Sequence, residues 1–259
     1  MKTLMKIVAA IKQVPSRDSL LKVNASGTWI EEADLSWEIN EPDAYALEEA
    51  LQLKEKTGSG EVIVLCAGPE RASQTIREAL AKGADRAIHI ETGEQTPSDP
   101  LALARLLASA LESEKPDLIL TGLQSDDLGY GQTGVVLAEL LGLPHGTIIM
   151  NVEPESNGIK VKRELEDGWF QNVWMPLPAL LTIQSGATKL RYATLMGIKR
   201  AKTKEVKKIS VAEASAPSTI HLERIYLPEK SKRTQIFDGA PQEAAAKLVE
   251  KLRFEARVI

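Results

Sequence analysis

Leu118-Ile-Leu-Thr-Gly-Leu-Gln-Ser-Asp-Asp-Leu-Gly-Tyr-Gly-Gln-Thr-Gly134 reads as three pieces in a row. An apolar run predicts a strand ending near Thr121. A polar, glycine-rich loop follows, and a helix is expected to begin near Gln132. Gly129, Gly131 and Gly134 satisfy G-x-G-x-x-G. Glycines let a backbone approach a ligand closely, and a helix N-terminus offers free N–H groups and a positive dipole end to a phosphate. Thr133 adds a hydroxyl donor. Two features separate this loop from a dinucleotide fingerprint. It follows a late strand, and no acidic residue ends a next strand about 20 residues on. The residues alone leave a phosphate-binding loop and a plain glycine-rich turn both open.

Outward from this stretch, strand and helix patterns alternate. Lys6 to Ile11, Glu61 to Cys66, Arg86 to Ile90 and Asp117 to Thr121 are short runs rich in β-branched and apolar residues. Between them Ala46, Leu47, Ala50 and Leu51 recur at helical spacing, as do Leu103, Leu106, Leu107, Ala110 and Leu111. Ser98 is a candidate N-cap with Pro100 in the first turn, and Gly83 is placed to end the preceding helix. This alternation predicts an α/β fold with a doubly wound, mostly parallel, Rossmann-like sheet. A hairpin is expected over Leu21 to Glu31, around Ala25-Ser26-Gly27. After Pro144 the texture changes. Thr147 to Glu153, Gly158 to Arg163, Phe170 to Trp174 and Pro178 to Ile183 read as strands, grouped as an antiparallel addition. Residues 1–186 are thus expected to form a nucleotide-binding domain. Residues 187–259 read as an extended C-terminal arm with a last amphipathic helix, Gln242 to Leu252. The arm lies either on a partner chain or back on its own domain.

Composition narrows the chemistry. At 259 residues with 43% hydrophobic and 26% charged residues, the chain can bury a real core. A net charge of -4 supplies no global field for nucleic acid. The basic run Lys199 to Lys208 lacks interleaved aromatics, so it reads as a solvated or partner-facing surface. The single cysteine, Cys66, excludes an internal disulfide, and a cytoplasmic-type compartment is expected. The opening residues are too short an apolar run to span a bilayer and read as a buried first strand, with a signal peptide as the alternative. His89, His145 and His221 have no metal-ligand spacing, and no metal site is expected. Asp126-Asp127 reads as a solvated loop pair or a metal site. No P-loop, GxSxG or HExxH is present, and no catalytic constellation emerges.

Ligands of doubly wound sheets bind beyond the C-terminal ends of strands. Three further segments fall there: Ala10 to Lys12, Cys66-Ala-Gly-Pro, and Asn40-Glu-Pro-Asp43 ahead of a helix. Asn40 or Asp43 could bond an adenine or ribose. Asn40 reads equally well as a helix N-cap, and Cys66 as a small buried hydrophobe.

Val161-Lys-Arg-Glu-Leu-Glu-Asp-Gly-Trp-Phe-Gln-Asn-Val-Trp-Met-Pro-Leu-Pro-Ala-Leu-Leu-Thr182 resembles the signature of electron-transfer flavoprotein beta subunits. Matching pieces stand in order at 10–15, 40 with 46–50, 82–87, 132–134, 190–195 and 201–202. The resemblance implies a subunit that carries electrons without catalysing a reaction alone. It implies a heterodimer with an alpha subunit that holds most of the redox FAD, and a structural AMP in this subunit. The alternative within the family is an electron-bifurcating form with a second FAD in place of AMP. Outside the family, an ATP-binding domain of stress-protein type is the alternative. The implied nucleotide contacts are Ala10, Asn40, Glu41, Pro42, Asp43, Cys66, Gly122, Gln124, Asp127, Gly129, Gly131, Gln132, Thr133 and Gly134. The implied docking segment is Tyr192, Ala193, Thr194, Leu195 and Met196, with Leu195 either an apolar anchor for a partner or a locally packed core residue. Acyl-CoA-type dehydrogenases and a quinone oxidoreductase or similar acceptor are the implied electron partners. Departures from the family pattern are Asp126, Gly129 in place of an acid, and Arg17.

Overall fold

The first strand, β1 (Lys6–Ile11), pairs in parallel with β4 (Glu61–Gly68) on one side and with β6 (Leu118–Gly122) on the other. This computed structural model describes residues 5–93, 97–210, 218–228 and 234–259. Residues 1–4, on which the signal-peptide alternative depends, and arm residues 211–217 and 229–233 lie outside the described residues. A short antiparallel pair, β2 (Gln13–Pro15) with β3 (Trp37–Ile39), leads into helix α1 (Glu41–Thr57), which crosses to β4. Helix α2 (Ala72–Lys82) leads on to β5 (Arg86–Glu91), parallel to β4. Helix α3 (Pro100–Leu111) then returns the chain past β1 to β6, and α4 (Thr133–Leu141) follows.

Val62 to Cys66 and Leu118 to Leu120 have no exposed surface. Strands buried on both faces need helices on both faces. One core packs Leu47, Ala50, Ile76 and Leu80 of α1 and α2 against the sheet. The other packs Leu107, Leu111 and Leu137 of α3 and α4 against the opposite face. Ion pairs staple the N-terminal ends of the strands. Arg86 bonds Glu61 (2.8 Å) and Glu114 (2.6 Å), and Lys54 bonds Asp85 (2.6 Å). Near the C-terminal ends of β4 and β5, Lys208 pairs with Glu70 (2.6 Å) and Glu91 (3.6 Å).

The later half departs from expectation in three ways. First, β7 (His145–Glu155), β8 (Gly158–Glu164) and β9 (Phe170–Met175) do form an antiparallel meander. The fourth expected member, β10 (Ala179–Ile183), instead lies between β6 and β7 and runs parallel to both. All five of its residues are buried, which suits a central strand rather than an edge. Second, the chain does not leave the sheet at residue 186. Helix α5 (Leu195–Ala201) packs on α2, and β11 (Val206–Ser210) extends the sheet beside β5 in parallel. The strand order is β11-β5-β4-β1-β6-β10-β7-β8-β9. Lys204 of the basic run donates to the carbonyls of Leu80 (3.0 Å) and Ala84 (2.5 Å), satisfying the orphan end of α2. Third, Asp99, not Ser98, caps α3, its carboxylate accepting from Leu101 N at 2.8 Å.

The expected hairpin at 21–31 reduces to one antiparallel bridge, Val23 to Ile30, closed by Asn24 accepting from Thr28 N (3.1 Å). Gly83 ends α2 as expected, in a positive-φ conformation. The last helix, α6 (Pro241–Glu250), buries none of its residues on this chain. Among the described residues, no helix is long and apolar enough to cross a membrane.

Candidate functional site

The chain steps outward from β1 to β4 and β5, then returns to β6 on the other side of β1. This reversal is where open α/β sheets hold ligands. A cleft opens there, beyond the C-terminal ends of β1, β4 and β6, enclosing about 790 Å³ with its open mouth included.

Nine of the expected contacts line it: Ala10, Asn40, Asp43, Gly122, Gln124, Gly131, Gln132, Thr133 and Gly134. The loop after β6 forms one wall, and α4 starts at its base. Gln132 stands at the N-cap position of α4 without a side-chain cap. Val136 N makes the first helical bond, to Gln132 O at 3.0 Å, so the N–H groups of Thr133, Gly134 and Val135 precede the helical ladder. The glycines divide the work. Gly129 and Gly131 adopt φ of +66° and +63°, where an added Cβ would make only ordinary van der Waals contact, so they serve the turn. A Cβ on Gly134 would stand 2.6 Å from Thr121 Oγ1 and 2.7 Å from Thr182 Cγ2, so Gly134 seats the helix against the sheet.

Asn40 and Asp43 hold the wall together. Asn40 Nδ2 donates to Gln124 O (2.9 Å), and its Oδ1 accepts from Asp126 N (2.8 Å). Its side chain therefore does not cap α1. Asp43 accepts from Lys12 N and Gly122 N, both at 2.8 Å. Burial pushes the Asp43 carboxyl up to about 7, against the opposing pull of the Gly122 and Lys12 N–H groups.

The remaining expected contacts lie outside the lining. Pro42 packs under Gly122, where an added Cβ would meet it at 2.7 Å. Cys66 is fully buried in the core on the α1 and α2 side, and burial pushes its thiol up to about 12. Strand alternation turns its neighbour Ala67 to the cleft instead. Asp127, Glu41 and Gly129 are rim residues. Lys12 Nζ bonds both oxygens of Asp127 at 2.5 and 2.7 Å. Arg17 bonds Glu41 and reaches Asp126 at 3.3 Å. The Asp126-Asp127 pair is thus ion-paired rather than merely solvated. Among the described residues, no group of three His, Cys, Asp or Glu could hold a metal. The departures Arg17 and Asp126 contact one another. Among the lining residues that the sequence did not point to as contacts are Pro97, Ser98, Leu103 and Leu107. Leu103 and Leu107 carried a signal, their helical spacing, but it also fits a plain core face.

On a different face of the molecule, Tyr192, Leu195 and Met196 are 92%, 83% and 60% exposed. Leu195 is therefore displayed, not packed in the core. Ala193 packs against the core, and Thr194 caps α5 by accepting from Gly197 N at 3.0 Å.

A doubly wound, mostly parallel sheet with an uncapped helix start at its switch point places this chain in the Rossmann-like class of α/β proteins. Comparison with known proteins narrows this class. Residues 27–214 match the family model described as Electron transfer flavoprotein domain. The chain is 36% identical over 257 residues to the electron transfer flavoprotein subunit beta of Methylophilus methylotrophus, covering 95% of this chain and 97% of that one. It is 37% identical over 255 residues to the subunit beta of Bradyrhizobium diazoefficiens, covering 98% and 100%. It is 35% identical over 256 residues to the human subunit beta, covering 98% and 99%. The chain belongs to the electron transfer flavoprotein beta-subunit family.

Proposed function

We propose that this chain is the nucleotide-binding and docking subunit of a heterodimeric electron carrier, with AMP in the cleft at the start of α4. The observation that carries the AMP reading is the uncapped N-terminus of α4, set at the base of a cleft with one apolar wall. Ala10, Ala67, Leu103 and Leu107 offer an apolar bed for a base, and the Thr133 hydroxyl with the free N–H groups offers donors to a phosphate. Lys12 is the one cation among the described lining residues, and Asp127 already engages it. That charge balance suits a single phosphate better than a triphosphate, which speaks against an ATP-hydrolysing domain.

An alpha subunit would hold the FAD, and flavin supplies the electron transfer itself. This chain's residues then do three things. Gly122 to Gly134 hold the nucleotide, the exposed Tyr192, Leu195 and Met196 meet an acyl-CoA-type dehydrogenase, and the apolar arm lies on the alpha subunit. Ile236, Phe254, Val258 and Ile259 of that arm are mostly exposed on the isolated chain, as a partner-covered surface requires. Electrons would pass on to a quinone oxidoreductase or similar acceptor.

The test is nucleotide content. The chain is co-expressed with a candidate alpha subunit, the complex is denatured, and released AMP and FAD are measured against protein. The expected result is equal AMP and FAD, one of each per heterodimer. Two FAD without AMP would replace this reading with the bifurcating one. ATP on the isolated chain, with no stable complex, would overturn both.

A further inference from the structure

We infer that Arg191 is a positioning residue that holds Tyr192 to Met196 in the form that meets a partner, an inference resting on the docking reading above. The segment is irregular, yet both of its ends are fixed. At one end the Arg191 guanidinium forks onto two glutamates of α1. Nε and Nη2 bond Glu48 at 2.8 and 3.0 Å, and Nη1 and Nη2 bond Glu55 at 2.6 and 3.1 Å. Its backbone N–H also donates to Glu48, at 3.2 Å. The Glu48 side chain is only 5% exposed, so this pair is sheltered from solvent screening. Gln52 on the next turn of α1 adds a bond to Thr188 at 2.8 Å.

At the other end, α5 is pressed directly on α2. A Cβ on Gly197 would stand 2.2 Å from Ala81 O, so no side chain separates the two backbones. Between these fixed points stand the three displayed apolar side chains. Apolar contacts of Leu190 and Ala193 attach the segment to the core but do not orient it. A bidentate fork sets direction as well as distance, which an apolar contact does not. Holding the segment ready removes an ordering cost that docking would otherwise carry.

The test uses the complete heterodimer, reduced by an acyl-CoA dehydrogenase with octanoyl-CoA, with rates measured against heterodimer concentration. Leu195→Ala is expected to raise KM. Arg191→Gln is expected to raise KM about tenfold with kcat within twofold, FAD and nucleotide content unchanged. Arg191→Lys is expected to restore only part of this, since an ammonium cannot span both carboxylates. Glu55→Gln removes only the solvent-side half of the fork and keeps the buried pair, so it tests the same point should Arg191→Gln fail to assemble. Its KM is expected to rise two- to threefold. A wild-type KM in Arg191→Gln, or in Glu55→Gln where the first cannot be purified, overturns the inference while a raised KM in Leu195→Ala leaves docking intact. A wild-type KM in Leu195→Ala overturns the docking reading and the inference together.

Discussion

Asp43 joins the cleft wall to two strand ends, and its protonation is the clearest pH-dependent element of the site. Its folded value lies near 7, above the ordinary carboxylate value, because burial penalises the charge. A raised folded value means that its contribution to stability is complete below about 4 and is lost as pH rises through about 7. The denaturation midpoint of the wild type is therefore expected to fall between pH 6 and pH 8. In Asp43→Asn this component disappears, and equal slopes in both proteins would refute the assignment. The glycines make a second residue-scale contrast. Gly134→Ala forces a Cβ against Thr121 and Thr182 and is expected to cost about 1–3 kcal/mol and release nucleotide. Gly129→Ala meets only the Ser125 carbonyl at 3.9 Å, an ordinary contact, and is expected to cost about 1–2 kcal/mol from its left-handed backbone, with nucleotide retained. Thermal melts and nucleotide content on both variants check this division. Cys66 shows why single residues were partly illegible. The end of β4 was recognised as a wall of the cleft. Which of two adjacent residues faces it depends on the pleat, and short apolar strands do not reveal that.

At the scale of elements, local signals were legible where both neighbours agreed. β1, β4, β5 and β6 stand within two residues of their expected ends, because β-branched runs and flanking turns coincided. The start of α3 was not, because Ser98 and Asp99 are both competent caps. A distant segment goes with the choice. Asp99 accepts from Thr219 N at 2.5 Å and from Thr219 Oγ1 at 2.8 Å. These Thr219 donors hold the Asp99 carboxyl down at about 2. One carboxylate thus starts a helix of the cleft and clasps the arm. Asp99→Ala is expected to lose about 1 kcal/mol from the cap and to make residues 218–228 more sensitive to protease. Thr219→Ala is expected to raise protease sensitivity with the cap intact. Equal protease sensitivity in wild type and both variants would show that the clasp does not hold the arm.

Across the whole molecule, the boundary drawn from composition and the boundary drawn by pairing differ. The stretch after 186 turned basic and lost periodicity, which read as departure from the domain. Its Lys204 instead closes α2, and its β11 covers the edge of β5. The pairing of β11 with β5 leaves no trace in local pattern, whereas the alternating strands and helices around β1 do. The consequence is a truncation experiment. A chain ended after Ser210 keeps β11, the Arg191 fork and the Lys204 contacts with α2. It is expected to unfold cooperatively as a monomeric domain. A chain ended after Gly186 exposes the edge of β5, the C-terminal carbonyls of α2 and the buried Glu48 without its arginine. An unpaired buried carboxylate costs several kcal/mol when its partner is removed, and a bare strand edge invites aggregation. The shorter chain is therefore expected to be insoluble or to lack a cooperative transition. Equal melting behaviour of the two would place the true domain boundary at 186 and reduce β11 to an accessory strand.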